Sequence, residues 1–168
     1  MREQYGIIRS RFETYGNVTI MNYGLANRSG ELLMSGGNAD IGASVFPTKN
    51  DLDDPTVWNR CQFMRATEFF QKYLSTDDVV IMKLNCEGSE CMIMNDLIES
   101  GEIEKLIDVM IDFDIRKVPD AASEESKLLF RLAESGFTRY CLAEDVTIGA
   151  THQDRSRNWL EISRAWQQ

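Results

Sequence analysis

From Val79 onward the chain alternates between two hydrophobic periods, and that alternation restricts the possible fold more than any other feature. The stretch VVIMKL, Val79 to Leu84, has apolar character on both alternating faces, the pattern of a central parallel strand covered by helices on either side. Met94, Leu97 and Ile98 then recur at i, i+3 and i+4, so a helix follows at once, with Gly101 interrupting it near its end. IDVMIDFD, Ile107 to Asp114, predicts another strand, with Val109, Ile111 and Phe113 on one face and Asp108, Met110 and Asp112 on the other. Pro119 and Asp120 introduce a long helix through Leu128, Leu129 and Leu132 to Ser135, ended by Gly136. TRYCLA, Thr138 to Ala143, predicts a last strand, and beyond Glu144 the pattern weakens. Strand, helix, strand, helix, strand argues for an α/β sheet with crossover helices.

The first half is less regular. Tyr5, Ile8, Phe12 and Tyr15 fall on one face of a helix spanning Met1 to Tyr15, which Gly16 and Asn17 stop. VTIMNYGL, from Val18, predicts a strand, and Asn27 to Gly30 a turn into a second strand, Glu31 to Ser35. SGGNADIGAS is a loop whose Gly36, Gly37 and Gly42 lack the spacing of a dinucleotide-binding turn, with no P-loop Lys-Ser/Thr pair after them. The acidic, proline-containing stretch Asn50 to Pro55 precedes a short strand, CQFMRA, and Thr67 can cap the helix EFFQKYL.

The 168 residues, 43% hydrophobic and 27% charged, suit one globular domain with a real core. The formal charge of −9 opposes phosphate backbones, and no basic stripe offsets it; Arg155 and Arg157 read as a solvated tail. No secretory leader or membrane-spanning run is present, so a soluble, cytoplasmic protein is the expectation and the sequons at Asn17 and Asn27 are chance matches. Cys61, Cys86, Cys91 and Cys141 have no C-x-x-C spacing, and His152 is the sole histidine. Reduced core thiols are expected, and no metal site.

The end of VVIMKLNCEGSE carries the chemistry. Ligands of open α/β sheets sit beyond the carboxyl ends of the strands, and there this chain places Lys83 and Asn85 on one face of the strand, then Glu87, Gly88 and Ser89 in a turn, with Ser89 or Glu90 beginning a helix. Gly88 suits a tight turn. A lysine inside a two-faced apolar strand is expected to pair with a carboxylate, Glu87 or Asp112.

VVIMKLNCEGSECMIMNDL resembles the signature of the FkbM family of S-adenosylmethionine-dependent methyltransferases, in which an apolar strand runs into Lys-x-Asp/Asn-x-Glu-Gly-x-Glu, here Lys83, Asn85, Glu87, Gly88 and Glu90. Upstream, NVTIMNYGLANRSGEL looks like the family's third strand and Ser/Thr-Gly-Glu hairpin, and GASVF like its following Ala-Ser element; downstream, ESGEIEKLIDVMIDFD resembles its next helix and strand. The likeness runs from about Tyr5 to Ile115, leaving 144–168 as a weakly matched tail. It implies a class I, Rossmann-like, doubly wound sheet that moves a methyl group from S-adenosylmethionine to a hydroxyl of a small molecule, glycan or lipid. On that reading Lys83, Asn85 and Glu87 line the site beside the reacting methyl, Glu87, Gly88 and Glu90 face the substrate, and Gly24 and Leu25, with Asn85, bind cofactor.

Two departures shape the expected mechanism. Asn85 stands where many members have Asp, which weakens a metal-assisted route, and Asp114 stands where relatives with Asn carry a histidine; a general base must then be Asp114 or Glu87. The third departure is an absence. The family's first strand, with its Gly-rich turn, and its second strand find no counterpart, since REQYGIIRSRFETYG looks like the helix after both. The expectation is therefore a partial sheet lacking its first two strands, in an N-terminally truncated single domain over 1–168 that is either part of a methyltransferase or a non-catalytic remnant acting as a binding or pairing module. An open sheet edge would favour self-association.

Overall fold

The computed structural model describes residues 2–35, 42–47, 58–146 and 151–165. Gly36, Gly37 and the stretch Asn50 to Pro55 lie outside the described residues, as does the side chain of His152. The elements run α1 (Arg2–Phe12), β1 (Gly24–Ala26), β2 (Gly30–Ser35), β3 (Trp58–Arg65), α2 (Ala66–Tyr73), β4 (Val80–Leu84), α3 (Glu90–Ser100), β5 (Leu106–Ile111), α4 (Glu124–Ser135), β6 (Tyr140–Leu142) and α5 (His152–Ala165), a mixed α/β architecture. The alternation expected from Val79 is present as β4-α3-β5-α4-β6, in a parallel sheet of order β4-β5-β6 with Lys83 opposite Met110 and Ile111 opposite Leu142. A second sheet of order β1-β3-β2 pairs β1 parallel and β2 antiparallel to β3. Among the described residues the strands thus form two three-stranded sheets, and β1 and β4 each sit at an edge.

The two-faced apolar strand at the centre is β5, and the central place expected for Val79 to Leu84 is corrected. Val109, Ile111 and the following Phe113 enter the main core beside Leu97, Leu128 and Leu132, whereas Met110 enters a second cluster with Ala143, Val146 and Trp159. Among the described residues β4 has a strand on one flank only, and its first three residues are half-buried. Lys83 is exposed. Its ammonium keeps its water, so the desolvation that called for Glu87 or Asp112 as a partner does not arise. α3 and α4 end on Gly101 and Gly136, whose φ of 76° and 74° are left-handed values that glycine adopts without strain.

Four further expectations are corrected. The strand expected from Val18 is confined to Gly24–Ala26. α2 begins at Ala66, and Thr67 lies in its first turn, turning its hydroxyl to Asp96 instead of capping. The helix expected from Pro119 begins at Glu124, after a short turn at Pro119–Ala121. Arg155 and Arg157 belong to α5, a helix in place of the expected tail. α1 leaves Ile8 and Phe12 exposed. No helix among the described residues is long and apolar enough to cross a membrane.

Candidate functional site

The parallel sheet delivers its polar residues to the carboxyl ends of β4 and β5. After Leu84 the chain turns sharply: Glu87 has φ 57°, Gly88 φ 107°, and α3 starts at Glu90. The turn is held from inside. Glu90 is fully buried, and its Oε1 accepts from the backbone N–H of Cys86 (2.9 Å) and of Gly88 (3.0 Å). From outside, Ser44 Oγ donates to the Glu87 carbonyl at 2.6 Å, which docks segment 42–47 on the turn. A side chain at Gly88 would meet the Phe46 ring at 3.1 Å and Val118 at 3.4 Å, so both its φ and its surroundings require glycine.

Beyond the strand ends, polar side chains form a chain of contacts. Lys83 Nζ donates to Asn85 Oδ1 at 3.4 Å, and Asn85 Nδ2 donates to Asp114 Oδ2 at 3.2 Å. Lys117 Nζ pairs with Asp114 Oδ1, one helical turn back. That hydrogen bond, with the added Coulombic attraction of the same carboxylate, raises the Lys117 pKa against the opposing effect of desolvation. Asn85, exposed, and Asp114, only 6% exposed, are thereby joined across two adjacent parallel strands. The structure brings together Lys83, Asn85, Asp114, Glu87, Gly88 and Glu90. Lys117 went unnoticed in the sequence; its spacing of three from Asp114 was the available signal.

The thiols near this edge are structural. The cysteines are free, and burial first, then the Glu90 carboxylate, push the Cys86 thiol up. The same causes push Cys91 up to about 12, so neither is a thiolate nucleophile at neutral pH.

Arg116, beside Asp114, binds Glu125 through Nε and Nη2 and Glu144 through Nη2, each at 2.5 Å, and so ties the edge to α4 and to the end of β6. Burial pushes the Glu144 pKa up, but the hydrogen bond and charge of Arg116 outweigh it and the net shift is downward. A depressed carboxylate contributes stability above the unfolded-state pKa and loses it as pH falls through the folded-state value. Acid unfolding monitored by circular dichroism should therefore show Arg116→Ala losing part of the wild-type acid-limb slope. Glu144 is 43% exposed, so the difference should shrink in high salt.

Gly24 and Leu25 lie apart, on β1 of the other sheet. Leu25 packs on the main core. A Cβ at Gly24 would stand 2.5 Å from the Phe63 ring, so that ring already uses the space glycine leaves. Gly24 also lines a cleft of about 680 Å³ between α1 and its sheet, with Tyr5, Ile8 and Tyr23.

Comparison of the chain with protein-family models, with curated proteins and with solved structures finds no match.

Proposed function

We propose that this chain carries the acceptor side of an S-adenosylmethionine-dependent methyl-transfer site of the FkbM type, acting on a hydroxyl, within a partial class I, Rossmann-like sheet in the cytoplasm. The observation that supports the reading best is the Asn85–Asp114 hydrogen bond joining the carboxyl ends of two parallel strands, because it gathers the motif's polar residues where such sheets take ligands. The acidic groups there, Glu87 and Asp114, suit a cationic sulfonium. Gly24 fits less well as a cofactor contact, since Phe63 covers it. S-adenosylmethionine, when bound, supplies an electrophilic methyl. The chain's own part is to orient the acceptor through Asn85 and Lys83 and to receive its proton on Glu87 or Asp114, the latter holding Asn85 and Lys117 on its two oxygens.

The outer edges of β1 and β4, unpaired among the described residues, favour a second reading, a non-catalytic module that pairs with another chain. Calorimetric titration of the 168-residue chain with S-adenosylhomocysteine separates the two. The enzyme reading expects a Kd in the micromolar range, roughly −8 kcal/mol. A folded sample that releases no binding heat would defeat the claim that this chain alone is active.

A further inference from the structure

The opposite end of the parallel sheet holds a cleft that methyl transfer does not use. It lies between the sheet and α5, at the amino ends of the strands, with a volume of about 590 Å³, inside the range of small-molecule sites. Val79, Ile107, Tyr140, Trp159 and Ile162 give it apolar walls and Asp108 is its one carboxylate; Arg139 also lines it, but its guanidinium is drawn to Glu104 at 3.5 Å and lies over the Phe137 ring. Val79 and Ile162 are 71% and 47% exposed, large apolar surfaces left at its mouth.

Asp108 is the informative residue. Its Oδ2 accepts from Trp159 Nε1 at 3.1 Å and from Ser163 Oγ, both on α5. Desolvation raises its pKa, against the hydrogen bonds of Trp159 and of the Val109 backbone. Every side-chain partner of Asp108 among the described residues is neutral, so a half-buried negative charge faces a largely apolar cleft with no cation among the described residues bonded to it. Partly buried carboxylates ordinarily pair with a positive group, and the cleft leaves room for one to be brought by a ligand.

We propose that this cleft binds a compact apolar amine, its hydrocarbon body against Trp159, Ile107 and Ile162 and its ammonium on the carboxylate of Asp108. The charge of one wall and the apolarity of the others together select the class: a hydrocarbon leaves Asp108 uncompensated, and a carboxylate of the same shape meets it with like charge.

Titration with 2-phenylethylamine, phenylacetate and ethylbenzene, followed by calorimetry and by Trp fluorescence, tests this. The amine should saturate and bind at least about tenfold more tightly than phenylacetate, the equivalent of about 1.4 kcal/mol. Asp108→Asn, which retains an oxygen to accept from Trp159 and Ser163, should erase that preference. If Asp108→Asn fails to fold, the three-ligand comparison on the wild-type chain decides alone. Equal or tighter binding of phenylacetate, an amine affinity unchanged by Asp108→Asn in a folded variant, or no saturable binding of the amine at millimolar concentration overturns the proposal.

Discussion

Asp96→Ala is expected to lower the stability of the chain by about 3 kcal/mol, a drop in Tm of roughly 6–12 °C at this size. Asp96 projects from α3, 3% exposed, and its carboxylate accepts from Arg65 Nε at 2.7 Å, Thr67 N at 2.8 Å and Thr67 Oγ1 at 2.7 Å. Arg65 reaches solvent and recovers its hydration when released. The Thr67 amide is buried and does not, and the Thr67 hydroxyl keeps only its longer contact to the carbonyl of residue 96 at 3.3 Å, so most of the loss comes from Thr67. Asp96→Asn keeps one acceptor and should lose about half as much. Position gives the residue added weight: among the described residues no strand pairing joins the two sheets, and this network fastens the end of β3 and the start of α2 to α3. Thermal melts of the two variants check the prediction. A change under about 1 kcal/mol for Asp96→Ala would show that α2–α3 packing alone holds the sheets together.

What could be read from the sequence was local. The β4-α3-β5-α4-β6 order followed from period changes and from Gly101 and Gly136, which end their helices where glycine is the usual solution. Whether a strand lies at the centre or the edge of a sheet depends on neighbours elsewhere in the chain. VVIMKL read as the two-faced central strand and IDVMIDFD as one with Asp108 and Asp112 on its second face, yet among the described residues only the latter is flanked on both sides, and Lys83 is exposed. α5 was illegible because its buried contacts, Trp159 and Ser163, are too few and too mixed to show a helical stripe. The site was legible as the run Lys83 to Glu90. Asp114 was named through the resemblance, and its pair with Lys117 had a spacing of three as its signal, but the contact of Asn85 with Asp114 and that of Thr67 with Asp96, each across 29 residues, are ones that no spacing in the sequence displays.

Glu90→Ala should cost about 3–5 kcal/mol and take the site geometry with it, whereas Glu90→Gln should stay within about 1 kcal/mol of wild type. The alanine variant strips two buried backbone donors, Cys86 N and Gly88 N, of their acceptor and opens a cavity at a position with no solvent exposure. Glutamine retains Oε1 for both amides and removes a buried charge, while its amide nitrogen replaces Oε2, which has no partner. Denaturant titration of the two variants separates a role for the acceptor oxygen from one for the charge: loss in both would mean the ionised carboxylate is required, and loss in neither would mean that Ser44 and the glycine at 88 suffice to hold the turn. The expected outcome, loss in alanine alone, makes Glu90 the internal brace of a strained turn. Glu87 at φ 57° and Gly88 at φ 107° keep those angles because the carboxylate fixes the amides on either side of Glu87. The brace sits in the first turn of α3, where helix amides favour negative charge. Any chemistry at Asn85 and Glu87 then depends on Glu90, which the resemblance would have facing the substrate but which is fully buried beneath the turn, and Glu90→Ala should abolish S-adenosylhomocysteine binding in whatever fraction of the variant still folds.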